Sequence, residues 1–184
     1  MSVDFLSSLK FSRLTPESQL KQFDCDDSDL NDFFSNESKN FLKQLLAVTY
    51  VIESDAQTIA FFCISNDKIS LKEINNPNKW EIFKSLFPDG KKLKSYPAVK
   101  IGRLGVSKGH QRIGIGKLII DFLIDSFINQ NKTGCRYITV DAYSRSLSFY
   151  EKTGFKFMTD KDQNKDTRLM YLDLHPYTEL QNLI

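Results

Sequence analysis

Residues Ala98 to Ile128 constrain this chain more than any other stretch. Ala98 to Val106 reads as a strand, and Gly114 to Ile128 carries apolar residues at helical spacing. A strand that feeds an amphipathic helix implies a sheet with a helix laid on one face. The connection between them is unusual in composition. Five of the eight glycines, at 102, 105, 109, 114 and 116, fall between Lys91 and Lys117. That stretch also holds eight Lys or Arg and no Asp or Glu, so the net charge of +2 conceals a purely cationic, glycine-rich segment. Such a segment is a candidate anion site. Its counterpart lies upstream, where Asp24 to Glu37 holds six acids and no base.

The rest of the chain follows the same layered logic. A strand is expected near Lys10 to Leu14. Thr15-Pro16-Glu17 has an N-cap residue, a first-turn proline and an acid, which predicts a helix of about two turns. A second helix opens in the acidic cluster and places Leu30, Phe33, Phe34, Phe41, Leu42 and Leu45 on one face. Ala47 to Ile52 and Thr58 to Ile64 form a hairpin around Ser54-Asp55. Lys79 to Phe87 reads as a short helix bounded by Pro77 and Pro88. Arg136 to Val140 is a strand, Ser144 to Lys152 a helix, and Phe155 to Met158 with Arg168 to Leu174 a final strand pair.

This order predicts an α+β (α/β layered) fold, a mostly antiparallel sheet with a local parallel pair and flanking helices. No repeat or linker divides the 184 residues, so one domain spanning 1–184 is expected, with 66–96 an irregular insertion between strands.

Several classes are excluded at this stage. The longest apolar run, Ile59 to Ile64, is far short of the roughly 20 residues a membrane helix needs. The first ten residues contain Asp4 and no long apolar stretch, so no signal peptide is expected. Cys25, Cys63 and Cys135 are too widely spaced for a zinc or redox pair, and only His110 and His175 are present, so no metal is expected. Reduced thiols and a cytoplasmic location are the simplest reading.

Gln111-Arg112-Ile113-Gly114-Ile115-Gly116-Lys117 follows the strand and opens the helix. A helix N-terminus offers free N–H groups and partial positive charge to a phosphate or pyrophosphate. Glycines 114 and 116 allow close backbone approach, and Arg112 and Lys117 add charge. The Walker pattern fails, because residue 111 is Gln and residue 118 is Leu. The dinucleotide fingerprint fails too, because Ile119 stands at its third glycine and the loop lies past the midpoint. An ordinary strand-to-helix turn beside a solvated basic face is the alternative.

Downstream stands Ser148-Phe149-Tyr150-Glu151-Lys152-Thr153-Gly154-Phe155. With Arg103-Leu104-Gly105-Val106 and the loop, it resembles the GNAT family of acetyl-CoA-dependent N-acetyltransferases. The family's Q/R-x-x-G-x-G/A loop is matched at every position and its F-Y-E-K-x-G-F signature in full. The resemblance covers Pro97 to Leu174.

It implies a splayed parallel strand pair, with the pantetheine arm of acetyl-CoA on the backbone of Leu104, Gly105 and Val106. It places the pyrophosphate on the loop formed by Gln111, Arg112, Ile113, Gly114, Ile115, Gly116 and Lys117. It implies that Tyr150 is the general acid for the departing thiolate. A phenol of pKa ~10 can donate to a thiolate whose acid has pKa ~8.5 when held within hydrogen-bond reach. An aromatic core role for Tyr150, with its hydroxyl bonded locally, is the competing reading. The family's frequent Asn and Ala, seven and four residues before the tyrosine, are replaced here by Tyr143 and Ser146.

No carboxylate occurs from Lys91 to Ile120, where many family members hold a Glu base; Asp141 is the nearest candidate. An amine of pKa ~10.4 needs a base, whereas an α-amine of pKa ~8 is already partly free. The acceptor is therefore tilted toward an α-amine. Phe23-Asp24-Cys25, with Leu30-Asn31 and the aromatic pair after it, resembles the toxin-type branch of the family. That resemblance implies acetylation of the α-amine of aminoacyl-tRNA and a ribbon–helix–helix antitoxin as partner. It gives Lys91, Lys92, Lys94, Lys100 and Arg103 a role against an RNA backbone. A small-molecule or protein amine, or a catalytically silent CoA-binding module, remains open, and homodimers are common for such a domain.

Overall fold

The computed structural model describes residues 5, 8–85, 93–129 and 133–181. Its strands are β1 (Lys10–Arg13), β2 (Val48–Glu53), β3 (Thr58–Ser70), β4 (Ser95–Val106), β5 (Tyr137–Tyr143), β6 (Lys156–Phe157) and β7 (Thr167–Asp173). They are hydrogen-bonded in the order β1-β2-β3-β4-β5-β7-β6. The pairing is mostly antiparallel with one parallel pair, β4–β5, as the sequence order implies. The helices are α1 (Ser28–Asp32), α2 (Ser38–Lys43), α3 (Leu71–Ile74), α4 (Pro77–Ser85), α5 (Ile115–Asn129), α6 (Leu147–Lys152) and α7 (His175–Gln181). Among the described residues no helix is long and apolar enough to cross a membrane.

The chain gathers into two compact units. One comprises Met1–Ser65 and Ile101–Leu123, the other Asn66–Lys100 and Ile124–Ile184.

In the first unit β2 is the middle of an antiparallel set, with Phe11 opposite Ile52 and Val51 opposite Phe61. Leu14, Phe33, Phe34, Ala47, Val51, Phe61 and Cys63 form a buried cluster, with Phe23 and Phe41 packed against it. On α5, Ile115, Ile119, Ile120 and Leu123 are buried. Each such side chain contributes roughly 1.5–3 kcal/mol when fully removed from water. The Phe122 ring stands 4.3 Å from Phe11 and 6.1 Å from Phe62, which seats the helix on the strands.

The helix expected after Thr15 does not form. Thr15 N–H donates to Ser18 Oγ at 2.8 Å, and Ser18 N–H to Thr15 C=O at 3.1 Å, closing a single turn. The chain then runs extended, and Gln22 C=O accepts from Thr58 N–H at 3.0 Å. A long-range partner thus replaces the helical bonds that the cap signature anticipates.

The next helix is also interrupted. Asp27 caps α1 by accepting from Leu30 N–H at 3.1 Å, as the acidic opening suggests. A π-helical turn, Phe33–Glu37, then separates α1 from α2, and the Ser38 N–H bonds to Phe33 C=O. The extra residue lets both Phe33 and Phe34 face the core. The helix stops at Gln44. Leu45 adopts φ +57 and is 92% exposed, so it does not share the apolar face assigned to it.

In the second unit β7 pairs with β5 over seven residues, from Tyr137 opposite Asp173 to Tyr143 opposite Thr167, and β6 adds to its other edge. Residues 66–96 contribute the end of β3, α3, α4 and the start of β4. Ser70 and Glu73 form a capping box on α3, which ends at the left-handed Asn75. Pro77 is the first residue of α4, where its missing N–H costs nothing. Leu86, Phe87 and Pro88, the far end of the expected helix, lie outside the described residues. Trp80, Phe83, Tyr96 and Tyr137 are buried together.

Candidate active site

The loop of the first unit is built from the end of β4 outward. At Gly105 a Cβ would come within 2.8 Å of Phe61 Cε1 and 3.0 Å of Phe23 Cζ, so only hydrogen fits. Leu104 and Val106 flank it, half-buried. Beyond Val106, Ser107 N–H bonds to Ile59 C=O at 2.8 Å, and Ser107 Oγ lies 2.8 Å from His110 Nδ1. Gln111 turns back, its Nε2 donating to Val106 C=O at 3.1 Å and to Cys25 C=O at 3.0 Å.

The loop then requires two left-handed residues. Arg112 has φ +62 and Gly114 φ +100. Glycine takes that geometry freely, whereas arginine is strained there by roughly 1 kcal/mol or more. Arg112, Ile113 and Gly114 are exposed. The first helical bond of α5 runs from Leu118 N–H to Gly114 C=O at 3.0 Å. The N–H groups of Ile115, Gly116 and Lys117 therefore point off the helix end without intrahelical partners, at the positive pole of a 15-residue helix. The Lys117 ammonium turns down the helix to Asp121, at 2.6 and 2.9 Å. Its backbone rather than its charge faces the loop.

Tyr150 belongs to the second unit. The signature around it is a helix end with a tightly set ring. Phe155 N–H bonds back to Tyr150 C=O at 3.0 Å, and Gly154 takes φ +94 to allow this. Phe149 and Phe155 hold the ring edge-on at 4.9 and 5.2 Å. The residue is 6% exposed, and burial pushes the phenol well above its usual range. Its hydroxyl makes no hydrogen bond with any described residue. The local bond that a purely structural tyrosine would make is missing.

Asp141, the nearest carboxylate candidate, is ion-paired with Lys100. Arg103 Nε lies 3.5 Å from Asp29, with its guanidinium 5.3 Å from the Phe33 ring centroid. Two of the five cations expected to meet RNA thus have acidic partners within their own unit. Lys91 and Lys92 lie outside the described residues, and Lys94 is exposed. Two features escaped the sequence. Asp67, a half-buried carboxylate on β3, accepts from the buried Thr139 hydroxyl. Asn31 organises the acidic segment through both ends of its amide. Its place in the Phe23 to Asn31 pattern was the available signal. Among the described residues no cluster of three or more His, Cys, Asp or Glu forms a metal site.

Residues 92–172 match the family model described as the acetyltransferase (GNAT) domain. No curated protein matches the sequence. Solved structures share its fold at low identity. A tyrosine-to-phenylalanine mutant of KacT superposes with a TM-score of 0.76 at 17% identity, covering 94% of this chain and 99% of that one. A bacterial toxin gives 0.75 at 16%, covering 94% and 95%. AtaT complexed with acetyl-methionyl-tRNAfMet gives 0.71 at 16%, covering 94% and 98%.

Proposed function

We propose that this protein transfers the acetyl group of acetyl-CoA to the α-amine of aminoacyl-tRNA. The amine nitrogen attacks the thioester carbonyl carbon, and the tetrahedral species expels sulfur as the C–S bond breaks. Tyr150 supplies the proton that the leaving thiolate takes up, the amine gives up its own to solvent, and solvent returns a proton to the tyrosinate. The loop from Gln111 to Lys117 receives the pyrophosphate on the N–H groups of Ile115, Gly116 and Lys117, with the exposed Arg112 guanidinium beside them. The backbone of Leu104, Gly105 and Val106 takes the pantetheine arm, although Val106 C=O is already used by Gln111.

The observation that carries the reading is the Tyr150 hydroxyl, which makes no hydrogen bond with any described residue although the residue is only 6% exposed. The choice of an α-amine rests on the absence of acid from Lys91 to Ile120 and on the ion pairing of Asp141. The fold shared with AtaT, solved with an acetylated aminoacyl-tRNA, supports the same class of acceptor. AtaT is also solved with the C-terminus of the antitoxin AtaR. A ribbon–helix–helix antitoxin, and action in the cytoplasm where tRNA is charged, follow as parts of this reading.

The test is transfer of labelled acetyl groups from acetyl-CoA to charged tRNA, with the Tyr150→Phe variant as control. Transfer to tRNA that is lost in the variant supports the reading. Transfer to small or protein amines alone replaces the acceptor. CoA binding without thioester consumption leaves a silent binding module.

A further inference from the structure

The acidic segment after Phe23 is bonded to the phosphate loop at several points. Lys108 N–H donates to Asp24 C=O at 2.9 Å, and Lys108 Nζ lies 2.8 Å from Asp24 Oδ2. Gln111 Nε2 donates to Cys25 C=O. Both legs of the loop, before and after His110, therefore hang on the backbone of Asp24 and Cys25.

That backbone is itself held in an uncommon shape. Asp26 is left-handed at φ +65, and its N–H bonds to Asp24 Oδ1 at 2.9 Å. Asn31, in α1, closes the arrangement from the other side. Its Oδ1 accepts from Cys25 N–H at 3.0 Å and from Cys25 Sγ at 3.2 Å, while its Nδ2 donates to Asp24 Oδ1 at 3.0 Å. One amide thus fixes the two residues from which the loop hangs. Phe23, just before them, packs against Phe61 at 5.1 Å and limits the space at Gly105.

We infer that Asn31 is a positioning residue for acetyl-CoA, acting through Asp24 and Cys25 on Lys108 and Gln111 to keep the phosphate loop open. The inference rests on the proposed acetyl-CoA site. The Phe23 to Asn31 pattern is then a brace for the cosubstrate loop, with Asp24 and Asp27 as its structural acceptors. The Asn31 amide is bonded to Asp24 and Cys25 rather than to the loop itself, so its loss raises the KM for acetyl-CoA and leaves kcat at saturation close to wild type.

The experiment compares wild type, Asn31→Ala, Gln111→Ala and the double variant. CoA affinity is read by calorimetry, steady-state kinetics by thioester consumption, and amide exchange by mass spectrometry without CoA. Asn31→Ala is expected to weaken CoA binding by about tenfold or more. It should speed exchange at Lys108 and Leu118 and leave Val51 and Phe61 protected. The double variant should bind no more weakly than the worse single variant, because both act through one brace. Independent, multiplicative losses, or an Asn31→Ala loop that exchanges like wild type, overturn the inference. General loss of protection at Val51 and Phe61 also overturns it, because Asn31 would then support the whole unit. If wild type binds no CoA, the acetyl-CoA reading fails, and the exchange arm still shows whether Asn31 braces the loop.

Discussion

Lys100 on β4 and Asp141 on β5 close an ion pair across neighbouring strands. Each is a residue for which the sequence suggested an outward role, the lysine against RNA and the carboxylate as a base. The carboxylate is already engaged by the Lys100 ammonium. Both side chains are partly exposed, at 32% and 48%, so the pair adds little stability. Asp141→Asn should therefore cost less than ~1 kcal/mol and change kcat by no more than about threefold. A drop of a hundredfold or more in steady-state assays would restore Asp141 as the base.

Tyr150→Phe removes a hydroxyl that has no partner among the described residues. The fold should be unaffected, with stability changed by less than ~0.5 kcal/mol. Turnover should fall by about 10²- to 10⁴-fold, the usual contribution of a positioned acid. CoA affinity by calorimetry should stay within about twofold. Full activity in the variant would remove the phenol from the chemistry.

The pH dependence has a definite sign. Burial raises the Tyr150 phenol, so its protonated form persists above the ordinary phenol pKa of ~10. No alkaline loss of kcat should arise from Tyr150 between about pH 7 and 10. An alkaline limb in that range that disappears in a variant of another group would assign it elsewhere. A limb that tracks Tyr150 would mean that its ring is more hydrated in solution.

Asp24 sets a second pH window, this time for stability. The Lys108 ammonium, then the Asp26 N–H and the Asn31 amide, hold its carboxyl down at about 2 against 3.8 for the free group. A depressed carboxylate stabilises the fold fully above its unfolded pKa. That contribution disappears as pH falls from about 4 to about 2. Thermal melts of wild type should lose stability through this interval, and Lys108→Met should shrink the difference between the two ends. Identical acid profiles for the two proteins would dissociate Lys108 from Asp24.

The sequence announced its local chemistry and concealed its long-range bonds. The order of strands along the chain, the strand and helix on either side of the glycine loop and the helix of the tyrosine signature are local patterns, and each element formed where expected. Thr15-Pro16-Glu17 carried a sound cap, yet Gln22 found Thr58 across 36 residues and the helix never started. Periodicity placed Leu45 with Phe33 and Phe41, but a π turn and a left-handed stop reset the face before reaching it. The Phe23 to Asn31 residues were visible as a pattern. That Asn31 bonds both Asp24 and Cys25, and that Gln111 returns to Cys25, depends on contacts 6 to 86 residues apart. No short window of sequence contains the Gln111 bond, and the Asn31 bonds, though local, follow no helical or strand period.

Gly105→Ala tests the end of β4 most directly. The added Cβ would sit 2.8 Å from Phe61 Cε1 and 3.0 Å from Phe23 Cζ. Neither ring can withdraw easily. Phe61 is fully buried, with Phe34 at 5.0 Å and Phe23 at 5.1 Å, and Phe23 lies 5.1 Å from Phe34. Overpacking of this kind costs about 1–3 kcal/mol, several degrees of Tm for a chain of this length. Because Phe23 adjoins Asp24, the displaced ring also disturbs the brace, and CoA affinity should weaken alongside Tm. Phe23→Leu in the same background opens space and should recover part of both losses. If thermal melts show no cost for Gly105→Ala, the rings are not packed as described. If Tm falls but Phe23→Leu restores neither quantity, the clash is with the Phe61 side alone.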